Sequence, residues 1–139
     1  MFQLCYSSKT TSLDHTILND LRDILGEARD FNVRHNIHGV LYFSDEYFFQ
    51  CLEGDEAIIE ALFQNIQKDR RHQEVKLYKT KKIETAHFNQ WSMKYVNRKS
   101  HLHHYFKQKG LDGLSLIKLT DDELPHLLKL LYEIDQDSL

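Results

Sequence analysis

The stretch IHGVLYFSDEYFFQCLEG, residues Ile37 to Gly54, decides the fold. Two apolar runs, Ile37 to Phe43 and Tyr47 to Leu52, flank the polar triplet Ser44-Asp45-Glu46. Runs of this length rich in Val, Tyr and Phe on either side of a short polar turn form an antiparallel hairpin. Gly54 ends the second strand. Gln50 is the misfit: a neutral amide on the face it shares with Phe48 and Leu52. A buried amide left without a hydrogen bond costs about 1–3 kcal/mol, so Gln50 needs a partner.

Before the hairpin, Phe2 to Ser7 alternates, with Phe2, Leu4 and Tyr6 on one face and Gln3, Cys5 and Ser7 on the other. Leu13 to Phe31 carries apolar residues three or four apart, the period of a helix, with Ser12 or Asp14 as its cap. After the hairpin, Ile58, Ile59, Leu62, Phe63 and Ile66 mark a second helix. Asp55 and Glu56 stand at its start and Lys68, Arg70 and Arg71 at its end, as the helix dipole favours. Val75 to Ile83 reads as one long strand with a basic outer face, and Trp91 to Val96 as a short final strand. This order gives an α+β class: a ferredoxin-like βαββαββ sheet with two helices on one face and a C-terminal helical tail. The first and third strands of such a sheet are central neighbours, so Tyr6 and Gln50 meet.

The tail begins with a weakly patterned helix, His101 to Lys109. Thr120 and Glu123 then form a capping box, followed by an apolar stripe of Leu124, Leu127, Leu128, Leu131 and Ile134. No Gly/Ser or Pro linker separates it, so residues 97–139 read as an extension packed on a domain of residues 1–96, on the second face of the sheet. The stripe either covers that sheet or joins two copies of the chain in a homo-oligomer; both readings stay open.

The 139 residues carry a net charge of −3. That implies no general affinity for nucleic acid or for an anionic membrane. With no signal peptide and no run of 18 apolar residues, the expected location is cytoplasmic. Cys5 and Cys51 lie in apolar runs and behave as small hydrophobes, not as a disulfide framework. There is no Gly-rich phosphate loop, no GxSxG and no CxxC. His101, His103 and His104 cluster without carboxylate or cysteine partners, so a polar helix face explains them better than a metal. His35 and His38 fit a turn. Asp69, Arg71 and His72 fit a solvated helix end, and Tyr6 with Gln50 fits a core pair that satisfies itself.

Six segments in register change that last reading. LCYSS with Tyr6, ARDFN with Asn32, IHGVLYF with Gly39, FFQCLEG with Gln50, IQKDRRH with Asp69, Arg71 and His72, and FNQWSMKY with Trp91 and Met93 together resemble the BLUF domain, a blue-light sensor that binds a flavin. The resemblance covers about Met1 to Val96, and the tail is similar to that of short, stand-alone members. It implies a flavin ring between the two helices, with Ile24 and Ile66 as apolar walls. Asn32 would hold the ring edge, and Asp69, Arg71 and His72 would lie near the ring. Gln50 would bridge the flavin and Tyr6. Trp91 and Met93, on the last strand, would compete for the place beside Gln50 and pass the signal on. FAD is the family expectation and FMN the alternative. Four positions depart from the family pattern: Phe31 for Asn or His, His38 for Ser or Thr, Asn65 for a basic residue and His87 for Arg.

The resemblance also implies a mechanism. Tyr6, among the side chains easiest to oxidise, gives an electron and then a proton, with Trp91 a competing donor. Gln50 has a donor end and an acceptor end, so its rotation or tautomerisation reverses what it offers its neighbours. No catalytic acid, base or nucleophile is expected, and the signal goes to a partner protein such as a transcription regulator or a signalling enzyme. Two other readings remain: a flavin-dependent redox enzyme, and a chromophore-free interaction module.

Overall fold

A computed structural model describes residues 1–13, 15–44, 46–97, 108 and 119–138. Its elements are β1 (Phe2–Thr10), α1 (Ile17–His35), β2 (His38–Ser44), β3 (Tyr47–Gly54), α2 (Glu56–Lys68), β4 (His72–Leu77), β5 (Lys81–Lys82), β6 (Lys94–Val96) and α3 (Leu124–Glu133). The sheet order is β4-β1-β3-β2-β6, with β5 also pairing β1. This is the ferredoxin-like order, extended by β6 running parallel to β2.

The β2–β3 hairpin forms as its sequence requires, with Ser44 opposite Tyr47 and Leu41 opposite Gln50. Gly39 is obligatory in it, because a Cβ there would collide with the Cys51 carbonyl oxygen. On the other side of β3, Tyr6 pairs directly with Gln50. Alternation along the strands sends Leu4, Tyr6, Leu41, Phe48 and Leu52 to one face, where α1 contributes Leu21, Ile24 and Leu25 and α2 contributes Ile59 and Phe63. Cys5, Val40, Tyr42, Phe49, Cys51 and Val96 face the other way, against Leu124, Leu127 and Leu131 of α3. The sheet is therefore covered on both faces, and β1 is buried almost throughout. Gln3, on the face opposite Tyr6, lies under this second layer and donates to Glu53 at 3.0 Å.

Several boundaries differ from those expected. Helix α1 starts at Ile17, not Leu13: Leu13 is exposed, and its carbonyl instead accepts the Thr16 N–H in a turn. The N-cap is Thr16, without a side-chain cap, and the Ser12 hydroxyl bonds Asp20 instead; Asp14 lies outside the described residues. The helix also runs on to His35, past the last buried apolar residue, because period reads only the buried face. At α2 the cap is Asp55, whose carboxylate accepts the Ile58 N–H at 3.2 Å.

The single strand Val75 to Ile83 is two strands, β4 and β5. The pairing of β4 slips between Ser7 and Lys9, and Glu74 takes a positive φ of 50°. Tyr78, between the two strands, turns inward and meets the Ser7 hydroxyl at 2.9 Å. The final strand is Lys94–Val96, so Trp91 and Met93 precede it. The helix expected over His101 to Lys109 falls, apart from Gln108, outside the described residues. At the start of α3, Thr120 and Glu123 make half of the capping box: the Thr120 N–H donates to the Glu123 carboxylate at 3.1 Å. The helix itself opens three residues later than that box implies, with Pro125 in its first turn.

Candidate functional site

Between α1 and α2, on the sheet face that carries Tyr6 and Gln50, lies a cavity of about 340 Å³. That is within the range of sites that enclose a small organic ligand. Tyr6, Ile24, Asn32, Gln50, Ile66, Asp69, Arg71 and His72 all line it. The structure thus brings together the eight residues expected around a flavin from four separate parts of the chain. Ile24 and Ala28 on α1 face Leu62 and Ile66 on α2, each pair four residues apart and therefore on one helix side. The result is an apolar slot with polar groups at its ends.

At the floor, the Tyr6 hydroxyl donates to Gln50 Oε1 at 2.5 Å. Burial pushes the Tyr6 phenol well above its usual range, and the nearby Asp69 carboxylate adds to this. The other end of the Gln50 amide, Nε2, faces the Met93 sulfur at 3.8 Å, a weak acceptor. Gln50 is thus strongly bonded at its acceptor end and weakly at its donor end.

Asn32 closes the slot from α1. Its amide nitrogen donates to the Ser92 carbonyl at 2.6 Å. Its oxygen, Oδ1, is buried and has no hydrogen-bond partner among the described residues. An orphaned buried acceptor is rare in a finished core. An N–H on the edge of a ligand ring in the slot would satisfy it.

At the other end, the Arg71 fork grips Asp69 at 2.6–3.1 Å and reaches Glu27 on α1 at 2.8 Å. The Arg71 hydrogen bonds hold the Asp69 carboxyl below its ordinary range, and Asp69 in turn holds the guanidinium firmly charged. His72 is buried beside Tyr6 and Phe48, and its Nδ1 meets the Ser8 hydroxyl at 2.8 Å. Burial pushes its pKa down to about 4, so it is neutral at neutral pH. A planar group with apolar faces and hydrogen-bonding edges, as flavin is, fits this donor and acceptor set.

Trp91 and Met93 do not share a face. Met93 is buried beside Gln50. Trp91 packs on the opposite side of the sheet, against Phe88, Tyr132 of α3 and the Lys94 ammonium, 4.3 Å from its ring centre. A strand running from Trp91 would place both on one face. The bends at Ser92 and Met93 break that alternation.

Sequence reasoning did not find Glu27, Ala28, Asp30, Arg34 or Leu62 in the lining. Helical period from Ile24 and Ile66 leads to Ala28 and Leu62. Glu27 carries no such signal, because its partner Arg71 is 44 residues away. Among the described residues, no helix is long and apolar enough to cross a membrane.

The family model described as "Sensors of blue-light using FAD", BLUF, matches residues 1–94. The ground-state structure of BlsA is similar at 41% identity and a TM-score of 0.94, over 99% of this chain and 91% of that one. Its photo-activated state gives a TM-score of 0.93 at the same identity, over 99% of both chains. The dark-state structure of the BLUF protein BlrB matches at 26% identity and a TM-score of 0.78, over 94% of both chains. A bacterial light-regulated adenylyl cyclase matches at 29% identity and a TM-score of 0.67, over 93% of this chain but 36% of that one. No curated protein matches.

Proposed function

The chain belongs to the BLUF family of blue-light sensors using flavin, and from that premise we propose that its output is a rearranged hydrogen-bond network around Gln50, read by a partner protein. The observation that carries this reading is the asymmetry of the Gln50 amide: a 2.5 Å bond at Oε1 and a 3.8 Å contact at Nε2. A bound flavin supplies the visible absorption and an excited state that is a strong oxidant.

The chain's own residues do the rest. Tyr6 keeps its proton in the resting state, because burial raises the cost of a phenolate. The Tyr6 hydroxyl donates it in a hydrogen bond to Gln50 Oε1. Reversing the amide presents Nε2 to the Tyr6 oxygen and turns Oε1 toward Met93. A thioether cannot donate a hydrogen bond, so the reversed amide has no reason to keep Met93 where it is. Met93 and the backbone around it therefore respond to Gln50.

Magnitude limits what Gln50 does alone. One exchanged hydrogen bond is worth about 0.5–1.5 kcal/mol, whereas a near-complete two-state switch needs about 5.5 kcal/mol. Several contacts must move together, and the Met93 loop with the C-terminal helix is the element placed to do so.

The flavin is taken as FAD on the family's precedent. The lining residues do not select a second phosphate, because Arg34 is paired with Asp30 and Arg71 with Asp69 and Glu27. Likeness to part of a light-regulated adenylyl cyclase supports a signalling enzyme as partner, with a transcription regulator the alternative. The test is the absorption spectrum of the flavin-loaded protein before and after blue light. A small red shift that reverses in darkness supports the sensor. Steady consumption of a reductant with no such shift would make the protein a flavin enzyme instead.

A further inference from the structure

Three consecutive carbonyls of the loop before β6 are each held by a side chain from α1 or β2. His38 Nδ1 meets the Trp91 carbonyl at 3.2 Å, Asn32 Nδ2 donates to Ser92 at 2.6 Å, and Arg29 Nε donates to Met93 at 3.1 Å. Asn32 belongs to the flavin slot. Arg29 does not line it, and of the three it alone also holds the C-terminal segment. Its Nη2 donates to Gln136 Oε1 at 3.1 Å.

Gln136 is in turn tied to β6. Its Oε1 also accepts the Tyr95 N–H at 3.4 Å, and the next residue donates its backbone N–H to the Tyr95 carbonyl at 2.9 Å. The Asp137 carboxylate accepts the Asn97 N–H at 2.8 Å. After α3, on the second face, the chain therefore passes along the edge of β6 and comes up beside α1. A groove of about 350 Å³, lined by Arg22, Gly26, Arg29 and residues 136–138, separates it from that helix. The segment is tied across the groove by Arg29, so the tie can change without repacking a core.

We infer that Arg29 is a positioning residue that carries a change at Gln50 and Met93 to the C-terminal segment through Gln136. The inference rests on the light-sensor reading above. The guanidinium suits the task because its planar fork holds two acceptors in a fixed relation. One is the carbonyl of the residue whose sulfur faces Gln50; the other belongs to the tail. A displaced Met93 carbonyl must either rotate the fork away from Gln136 or leave Arg29 behind. By linkage, the tail must bias the Gln50 arrangement as strongly as Gln50 biases the tail.

The test measures dark recovery of the flavin absorption shift in Arg29→Gln, Arg29→Lys, Gln136→Ala and the Arg29→Gln/Gln136→Ala double variant. Gln136 is exposed, so its truncation leaves the core intact. Each single variant is expected to keep the red shift and to change the recovery rate by about 2- to 30-fold, the span found for residues that modulate coupling without touching a ligand. Arg29→Lys should behave like Arg29→Gln, since it keeps the charge and loses the fork. The double variant should change the rate no further than the singles, because both cut one path. Recovery at the wild-type rate in Gln136→Ala, or independent effects that multiply in the double variant, would overturn the role of Arg29 and leave the sensor reading standing. Wild-type protein with no light-induced shift would bring down both.

Discussion

At the scale of single residues, function turns on buried polar groups and what satisfies them. Gln50 and Tyr6 were legible as a pair because both sit on apolar faces of strands that a ferredoxin-like order makes neighbours. The orphaned Asn32 Oδ1 was not, since its state depends on Ser92, 60 residues away. Asn32→Ala removes that acceptor and leaves the Ser92 carbonyl unpaired, so flavin titration should show affinity reduced about 10- to 100-fold. His72 makes a pH prediction. Its pKa of about 4 in the fold lies below its ordinary value, so the unfolded chain binds the extra proton first. His72 therefore contributes its full stabilisation above about pH 6.5, and loses it as pH falls toward 4, by on the order of 3 kcal/mol. Denaturant unfolding at pH 7.5 and 4.5 should show the loss in the wild type. His72→Phe should flatten it; an unchanged pH slope in that variant would remove His72 as the cause.

At the scale of elements, two glycines give opposite outcomes for the same substitution. Gly26 lies on the exposed side of α1, and a Cβ added there would meet nothing within 4 Å. Gly26→Ala should stabilise the protein by about 1 kcal/mol, raising Tm by about 3–5 °C. Gly39→Ala drives a Cβ into the Cys51 backbone, so it must break the β2–β3 pairing and should cost about 3 kcal/mol or more. The hairpin holding Gly39 was readable from alternation and one polar turn. The division of β4 from β5 was not, because Val75 to Ile83 runs through Tyr78 with apolar and basic residues on either side and no Gly or Pro to mark a break. Which of Trp91 and Met93 lies beside Gln50 was not readable either: the side Trp91 takes is set by bends at Ser92 and Met93, not by its spacing from β6.

At the scale of the whole molecule, α3 makes the sheet double-faced. Leu124, Leu127 and Leu131 are buried against the strands, and Lys94 reaches from β6 to the last turn of α3, donating to the Tyr132 carbonyl at 3.0 Å. The apolar stripe announced this helix in the sequence, while the ties that follow it, through Arg29, Gln136 and Tyr95, had no local signature. Hydrogen exchange compared between light and dark should therefore change at the Tyr95 and Asp137 amides as well as around the slot. A difference confined to the slot would refute the coupling. The central claim, that Gln50 records light, is tested most directly by the light-minus-dark absorption spectrum of Gln50→Leu. This variant should still bind flavin, because the slot walls and Asn32 are intact, and should show no red shift. A normal, reversible red shift in Gln50→Leu would contradict the claim.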